Sequence, residues 1–390
     1  MFKDDDFQLR PEDKLMLCCA RTHVNEEIKK KIISLASMDL DWQYLINMAS
    51  RHRLRPLLYV NLNSICPEKV PEDVLGNLKS YYMANVQKNL MLTGELVKVM
   101  ELLEENGIDA VTYKGPALAH SVYGNIGYRQ FGDIDILIDE SDAINVKNIM
   151  ISNGYEFYPK IKLNDSIYMT LGSGYPFTNK KNNAIIEIKW KVEGDFFSSP
   201  QNPIILFKNF KSLKIDSFKF HTFFGVNQLL ILCIHSAKHD WSRLSWICDI
   251  SELVKNENIN WQETLEKAQI LGIERILLIN LVLVRDLFGL NIFDDINNHL
   301  NSDNNVELIS LQVKKRIFIY QKESLNIFEK FFSEIKIREN PIYGIKSCFL
   351  ALTKPGYQEY IDIPLPEILF PLYYIIRPFL LLKRYGKNSI

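Results

Sequence analysis

The chain has 390 residues, room for about two to three domains and ample for a core that needs no staples. Its 46 Lys and Arg against 47 Asp and Glu leave a formal charge of -1. That balance argues against a bulk binder of long nucleic acid, which shows a basic domain or stripe. With 47% hydrophobic and 24% charged residues, disorder, collagen and coiled coil are excluded as its main character.

The six cysteines are Cys18, Cys19, Cys66, Cys233, Cys248 and Cys348, and no two form a C-x-x-C pair. The start, Met1-Phe2-Lys3-Asp4-Asp5-Asp6, is acidic where a secretory signal is basic and then apolar. A cytoplasmic protein with free thiols and no structural zinc is expected.

In chain order, the first hundred residues read as helical. Pro11-Glu12-Asp13 opens a helix with Pro early and acids in the first turn. Asp41 to Val60 carries Trp42, Leu45, Ile46, Met48 and Ala49 at helical spacing, and Leu75 to Glu105 keeps that period up to a stop at Asn106-Gly107. Ile108 to Tyr113 then reads as a strand, Lys114-Gly115-Pro116 as a turn, and Ala117 to Tyr123 as a short helix. A loop with three glycines, Gly124 to Gly132, leads to Asp133-Ile134-Asp135-Ile136-Leu137-Ile138-Asp139, which alternates as a strand does. Ser141 to Asn153 is a Ser-capped helix with a Gly154 stop, and a hairpin around Gly172-Ser173-Gly174 is expected within Tyr155 to Thr178. Ala184 to Val192 alternates again, with Glu187 and Lys189 on one face and Ile186, Ile188 and Trp190 on the other.

Helix returns over Gln228 to Lys238 and Trp241 to Val254. Leu365 to Leu382 is strongly apolar but holds Pro366, Pro371, Arg377 and Pro378, so it fails as a spanning helix of about 20 residues. A packed or partner-facing helix is expected there, with membrane-surface contact through 365–382 as the other reading. The fold class is therefore α+β. A helical region at 1–106 precedes a compact α+β core at 107–220, and a helical domain follows at 221–390.

The chemistry concentrates in Lys114-Gly115-Pro116, Arg129, Asp133, Asp135 and Glu187. Acids at i and i+2 on a strand project from one face. With Ile134, Ile136 and Ile138 anchoring the other face, Asp133 and Asp135 share a cleft. Carboxylates held this close repel one another, and a divalent cation removes that conflict. Oxygen-only ligation suits Mg²⁺ with substrate phosphates, and a third carboxylate at Glu187 completes a two-metal site. The Lys-Gly-Pro turn feeding a helix offers the N–H groups of Ala117 and Leu118 to an anion. Lys114 adds a point charge and Arg129 a bidentate clamp. Taken singly, each piece has a plain structural reading: a strand acid pair, a helix entry, a solvated strand face. Their order and compactness point to a triphosphate-plus-metal site.

The run Lys114-Gly115 … Tyr123 … Arg129 … Asp133-Ile134-Asp135-Ile136-Leu137 resembles the signature of the uncharacterised bacterial nucleotidyltransferase family of the DNA polymerase β-like superfamily. Ile186-Glu187-Ile188-Lys189-Trp190 is similar to its third-carboxylate strand, usually Glu-Leu-His-Trp. The stretch from Leu232 to Ile250, and the tail from Leu365-Pro366 to Tyr385-Gly386, are similar to further segments of the family. The resemblance implies a nucleotidyltransferase fold, Mg²⁺ held by Asp133, Asp135 and Glu187, and transfer of a nucleoside monophosphate from an NTP with release of pyrophosphate. In two places the sequence departs from the pattern. Lys114-Gly115 stands where the superfamily has Gly-Ser, and Lys189 stands where the family has histidine.

His235 and His239 lie at i and i+4, but Ser236 takes the place of the glutamate of a zinc metalloprotease helix. Lys238 is assigned to the β/γ phosphates, with His235 or His239 positioning the base or acceptor. Asp249 orients one of them or acts as a base. The competing reading makes His235, Trp246 and Asp249 a buried network between helices. The expected partners are an NTP, ATP foremost, with two Mg²⁺ ions (or Mn²⁺), and a small-molecule or peptidic acceptor. The alternatives are a toxin-like transferase acting on tRNA or protein, and a non-catalytic nucleotide-binding module.

Overall fold

The computed structural model describes residues 8–158, 164–193, 210–215, 218–291, 296, 299–300, 303–319 and 327–385. The acidic start at 1–6, the 194–209 part of the 107–220 unit, and Gly386 lie outside the described residues.

Five helices come first: α1 (Pro11–Cys19), α2 (Glu26–Ala36), α3 (Trp42–Arg51), α4 (Arg55–Ile65) and α5 (Glu72–Glu105). The helical spacing from Asp41 to Val60 thus covers two helices, parted at His52–Leu54. The chain turns there because Arg53 takes a left-handed φ of 58° and Pro56, near the start of α4, has no N–H to continue the α3 ladder. The long helix α5 ends at Asn106, and Gly107 takes the left-handed φ of 71° that such a stop requires.

Strands β1 (Ala110–Thr112), β2 (Asp133–Ile138), β3 (Tyr155–Phe157), β4 (Gly174–Asn179), β5 (Ile185–Lys189), β6 (Lys211–Ile215) and β7 (Phe218–Thr222) form one seven-stranded mixed sheet in the order β3-β4-β5-β2-β1-β7-β6. With its helical flanks it makes the α+β class. Helices α6 (Gly115–Ser121), α7 (Ala143–Ser152) and α8 (Asp165–Leu171) connect the strands. Ser141 does not cap α7: a 3-10 turn over Glu140–Asp142 precedes the helix, capped by Asp139, which accepts the Ser141 N–H at 2.9 Å. The hairpin expected around Gly172 is replaced by α8, followed by β4. Gly172 is instead a point of close approach, where a β-carbon would collide with the Tyr357 hydroxyl. Tyr168 stacks on the same Tyr357 ring at 4.3 Å, a partner distant in sequence. The tight hairpin lies at Asn179–Ala184, where Glu95 of α5 accepts from Asn179 (2.6 Å) and Asn182 (2.8 Å).

Among the described residues after β7 the helices are α9 (Gly225–Lys238), α10 (Leu244–Asn256), α11 (Trp261–Leu271), α12 (Glu274–Phe288), α13 (Asn304–Phe318), α14 (Ile327–Lys336), α15 (Pro341–Thr353), α16 (Tyr357–Asp362) and α17 (Tyr373–Tyr385). Two apolar clusters hold the molecule. One joins Ile134, Ile136, Ile138, Ile186 and Ile188 to Leu92, Leu96 and Val99 of α5. The other unites Leu15, Leu57 and Leu62 with Leu229, Ile247 and Ile279, so helices from both ends of the chain share one core. Leu137, on the opposite face of β2, belongs to this second cluster. The two central strands β2 and β5 are therefore apolar on one side, while on the other Asp133 and Asp135 stand with Glu187 and Lys189. In the stretch 365–382, Ile368, Ile375, Phe379 and Leu382 face outward. No helix among the described residues is long and apolar enough to cross a membrane.

Candidate active site

Strand periodicity puts Asp133 and Asp135 on one face of β2. The parallel pairing of β2 with β5 sets Asp135 directly opposite Glu187 and Asp133 opposite Ile185. The three acids predicted from the sequence therefore line one cleft of about 500 Å³, together with Lys114, Gly115, Arg129, Lys189, Lys238, His235 and His239.

Gly115 fixes the turn to this strand. Its φ of +49° is left-handed, and a β-carbon would stand 2.7 Å from the carbonyl oxygen of Asp133. The N–H groups of Ala117 and Leu118, expected to face an anion, are instead donated to the carbonyl of Lys114 at 3.1 and 3.4 Å. The first turn of α6 closes on its own cap and leaves Lys114 as that segment's charge toward the cleft.

Lys189 enters from the same face of β5. Its Nζ lies 2.5 Å from Asp135 Oδ1 and 2.9 Å from Glu187 Oε2. Burial alone would raise the Asp135 carboxyl, but Lys189 and Lys114 hold it below the usual carboxylate range. Asp133 goes the other way: burial, then Asp135 and Glu187, push it up. Among the described residues no His, Cys, Asp or Glu trio converges closely enough to hold an ion as it stands, and the Lys189 ammonium contacts both Asp135 and Glu187. The donor set is nevertheless three carboxylates with no nitrogen or sulfur, which fits a hard cation such as Mg²⁺.

A second node is Glu193, which the sequence reading missed. It is buried and left-handed at φ 54°. Its carboxylate pairs with Lys114, lies 3.3 Å from His235 Nδ1, and lies 3.5 Å from Lys238 Nζ. Burial would raise its carboxyl, yet Lys114 above all, with the His235 ring and Lys238, holds it well below the usual range. Burial and Lys114 keep His235 below the ordinary histidine value, and burial together with His235 pushes His239 down to about 3. Both rings pack on Trp246, at 5.3 and 5.0 Å. His235 and Trp246 thus form the aromatic part of the network weighed from the sequence, while lining the cleft.

Asp249 does not join them. It lies fully buried, accepting from Arg129 Nε and Nη2 at 2.8 Å each and from Tyr123 Oη at 2.6 Å. Neither orientation of a histidine nor base chemistry is open to it there. Burial works against the Arg129 charge, but Asp249 keeps the guanidinium firmly protonated. Asn89 of α5 adds a hold on the Arg129 carbonyl at 2.8 Å. The bidentate clamp expected of Arg129 is thus turned inward on Asp249, with only part of the fork left for the cleft. Two further cations, Arg53 and Arg243, reach the cleft from the helical regions. The break in helical spacing near Pro56 is the signal that could have drawn attention to Arg53.

The mixed sheet thus carries an aspartate pair on one strand and a glutamate opposite the second aspartate on a parallel neighbour. The chain belongs to the family described as uncharacterised nucleotidyltransferase, whose model matches residues 38–289. The chain is also similar to an antigenic nucleotidyltransferase-like protein from Paracoccidioides brasiliensis, known from a crystal structure. That match has 15% identity and a TM-score of 0.36, and covers 54% of this chain and 93% of that one. No curated protein matches.

Proposed function

We propose that the cleft moves a nucleoside monophosphate from an NTP, ATP foremost, to a hydroxyl of a small-molecule or peptidic acceptor, with release of pyrophosphate. The observation that carries this reading is the pairing of Asp135 with Glu187 across parallel strands, with Asp133 two residues before on the same face. Asp133, Asp135 and Glu187 would hold Mg²⁺, as two ions, with Mn²⁺ able to substitute. When bound, the cation neutralises phosphoryl charge and eases ionisation of the attacking hydroxyl. The acceptor oxygen forms its bond to the α-phosphorus as the bond to the pyrophosphate oxygen breaks, in line. Lys114 and Lys238, held on the cleft wall by Glu193, offset the charge of the phosphates. His235 and His239, neutral and packed on Trp246, orient the base or the acceptor. Six free cysteines support a reducing cytoplasm as its setting.

The test is to incubate the protein with each α-labelled NTP, Mg²⁺ and a cell extract, and to follow label and pyrophosphate. Label on an acceptor, lost in Asp133→Asn, is expected. No label and no pyrophosphate with any NTP overturns the reading. The ion pair of Lys189 with Asp135 favours a second reading, nucleotide binding without transfer. It predicts NTP affinity with no Mg²⁺-dependent pyrophosphate release.

A further inference from the structure

Six cationic side chains line the cleft against four carboxylates. Four of the six are held by an internal acid: Lys189 by Asp135 and Glu187, Lys114 and Lys238 by Glu193, and Arg129 by Asp249. Arg53 and Arg243 have no carboxylate within ion-pair distance among the described residues. The guanidinium of Arg243 lies over the Trp246 ring, 5.2 Å from its centroid.

The backbone around Arg53 is fixed by a tight helix end. Helix α3 ends with the Leu54 N–H on the Ala49 carbonyl (2.8 Å) and the Arg53 N–H on the Ser50 carbonyl (3.1 Å). This is the double closure that places one left-handed residue just past the helix, a position glycine usually fills. Here Arg53 fills it at φ 58°. A strained non-glycine residue on a cleft wall is the kind of outlier that marks a functional site. The corner is also built onto the other helical region. The His52 carbonyl accepts the Ser245 N–H at 3.2 Å, and His52 Nδ1 accepts the Leu244 N–H at 3.3 Å. The turn carrying Arg53 is thereby fixed against the start of α10, which carries Arg243. Two guanidinium groups are held on one wall despite their repulsion. Burial and Arg243 push the Arg53 value down, against the pull of Asp133.

We infer that Arg53 and Arg243 form an oxyanion site for a phosphoryl group of a substrate, spanning the N-terminal and C-terminal helical regions. This rests on the nucleotidyl-transfer reading of the cleft only for the identity of that substrate. Guanidinium forks match phosphate oxygens in geometry and charge. The phosphoryl group is either the polyphosphate tail of the NTP or a phosphate on the acceptor.

Calorimetric titration of the full chain with pyrophosphate, ATP and inorganic phosphate in Mg²⁺ buffer tests it. Arg53→Gly, Arg53→Gln and Arg243→Gln are each expected to weaken anion binding about tenfold. Arg243→Lys is expected to retain part of the affinity. Arg53→Gly relieves the left-handed strain, so its melting temperature is expected to stay level or rise while anion affinity falls. Weakened pyrophosphate and ATP binding assigns the site to the nucleotide tail. Weakened inorganic phosphate binding with normal ATP binding assigns it to the acceptor. Folded variants that bind all three anions within about twofold of the parent, or a parent that binds none, overturn the inference. Anion binding requires no turnover, so absence of label transfer with intact pyrophosphate binding sinks the transfer reading alone.

Discussion

Lys189 and Asp135, on neighbouring parallel strands, form an ion pair of 2.5 Å inside the acid cluster. The lysine sits one pleat beyond Glu187 and also reaches that carboxylate, at 2.9 Å. Its ammonium therefore supplies in advance the positive charge that crowded carboxylates need. Burial alone would lower the Lys189 value, but Asp135 raises it well above the ordinary lysine range. Its charge is firmly held.

A divalent cation entering this cluster must displace that ammonium or tolerate it. Lys189→Met is expected to tighten Mn²⁺ binding about tenfold, since a like charge is removed from beside two ligands. Mn²⁺ titration followed by electron paramagnetic resonance reads this directly. Unchanged or weaker Mn²⁺ binding in the folded variant shows that Lys189 organises the carboxylates for the cation instead of competing with it.

Glu193 carries a different role. Its side chain is 1% exposed and that of Lys114 is 7% exposed, so removing the carboxylate leaves buried cations uncompensated. Breaking a buried pair from one side costs about 3–5 kcal/mol. Glu193→Gln is expected to lose about that much in urea unfolding. Lys238→Met is expected to lose under about 1 kcal/mol, because the Lys238 side chain is 40% exposed and its ammonium lies 3.5 Å from Glu193. Equal losses in the two variants would refute this division.

The His52 corner sets a pH dependence. His52 is fully buried, and burial, with Arg51 and Arg243 adding to it, pushes its value down to about 3 from an ordinary 6.5. The folded state needs the neutral ring, whose Nδ1 accepts the Leu244 N–H. A depressed value means the unfolded chain binds the proton more readily. This contribution to stability is complete above pH 6.5 and is lost as pH falls from 6.5 toward 3. The slope approaches about 1.4 kcal/mol per pH unit below 6.5. Urea unfolding of the parent and of His52→Asn at several pH values measures it. A flatter profile in the variant over that window is expected, and parallel profiles would exclude His52 as the cause.

Much of the frame was legible in the chain itself. The alternation Asp133-Ile134-Asp135-Ile136 requires a strand with two acids on one side, because side chains alternate with period two. The same period puts Glu187 and Lys189 on one face of β5. The spacing along α5 and its Asn106-Gly107 stop follow from local geometry alone. The stretch before β4 was not legible: α8 there stacks Tyr168 on Tyr357, far along the chain.

Local chemistry also could not say which charge answers which. The sequence offers Lys114, Arg129 and Lys238 for phosphate, and Asp249 for base or orienting chemistry. Folding buries Asp249 against Arg129 and Tyr123, and it gathers Lys114, His235 and Lys238 on Glu193, where no periodicity pointed. Ion pairing between residues 45 to 120 positions apart depends on where the helices from both ends of the chain meet the sheet. By itself the sequence determined most element types, the paired aspartates and a near-zero net charge. Only the tertiary structure decided that the cleft gathers more cations than carboxylates, with Arg53 and Arg243 at its wall outside ion-pair distance of any carboxylate among the described residues. A whole-chain sum cannot show that distribution, because burial, not composition, selects which charges face one another.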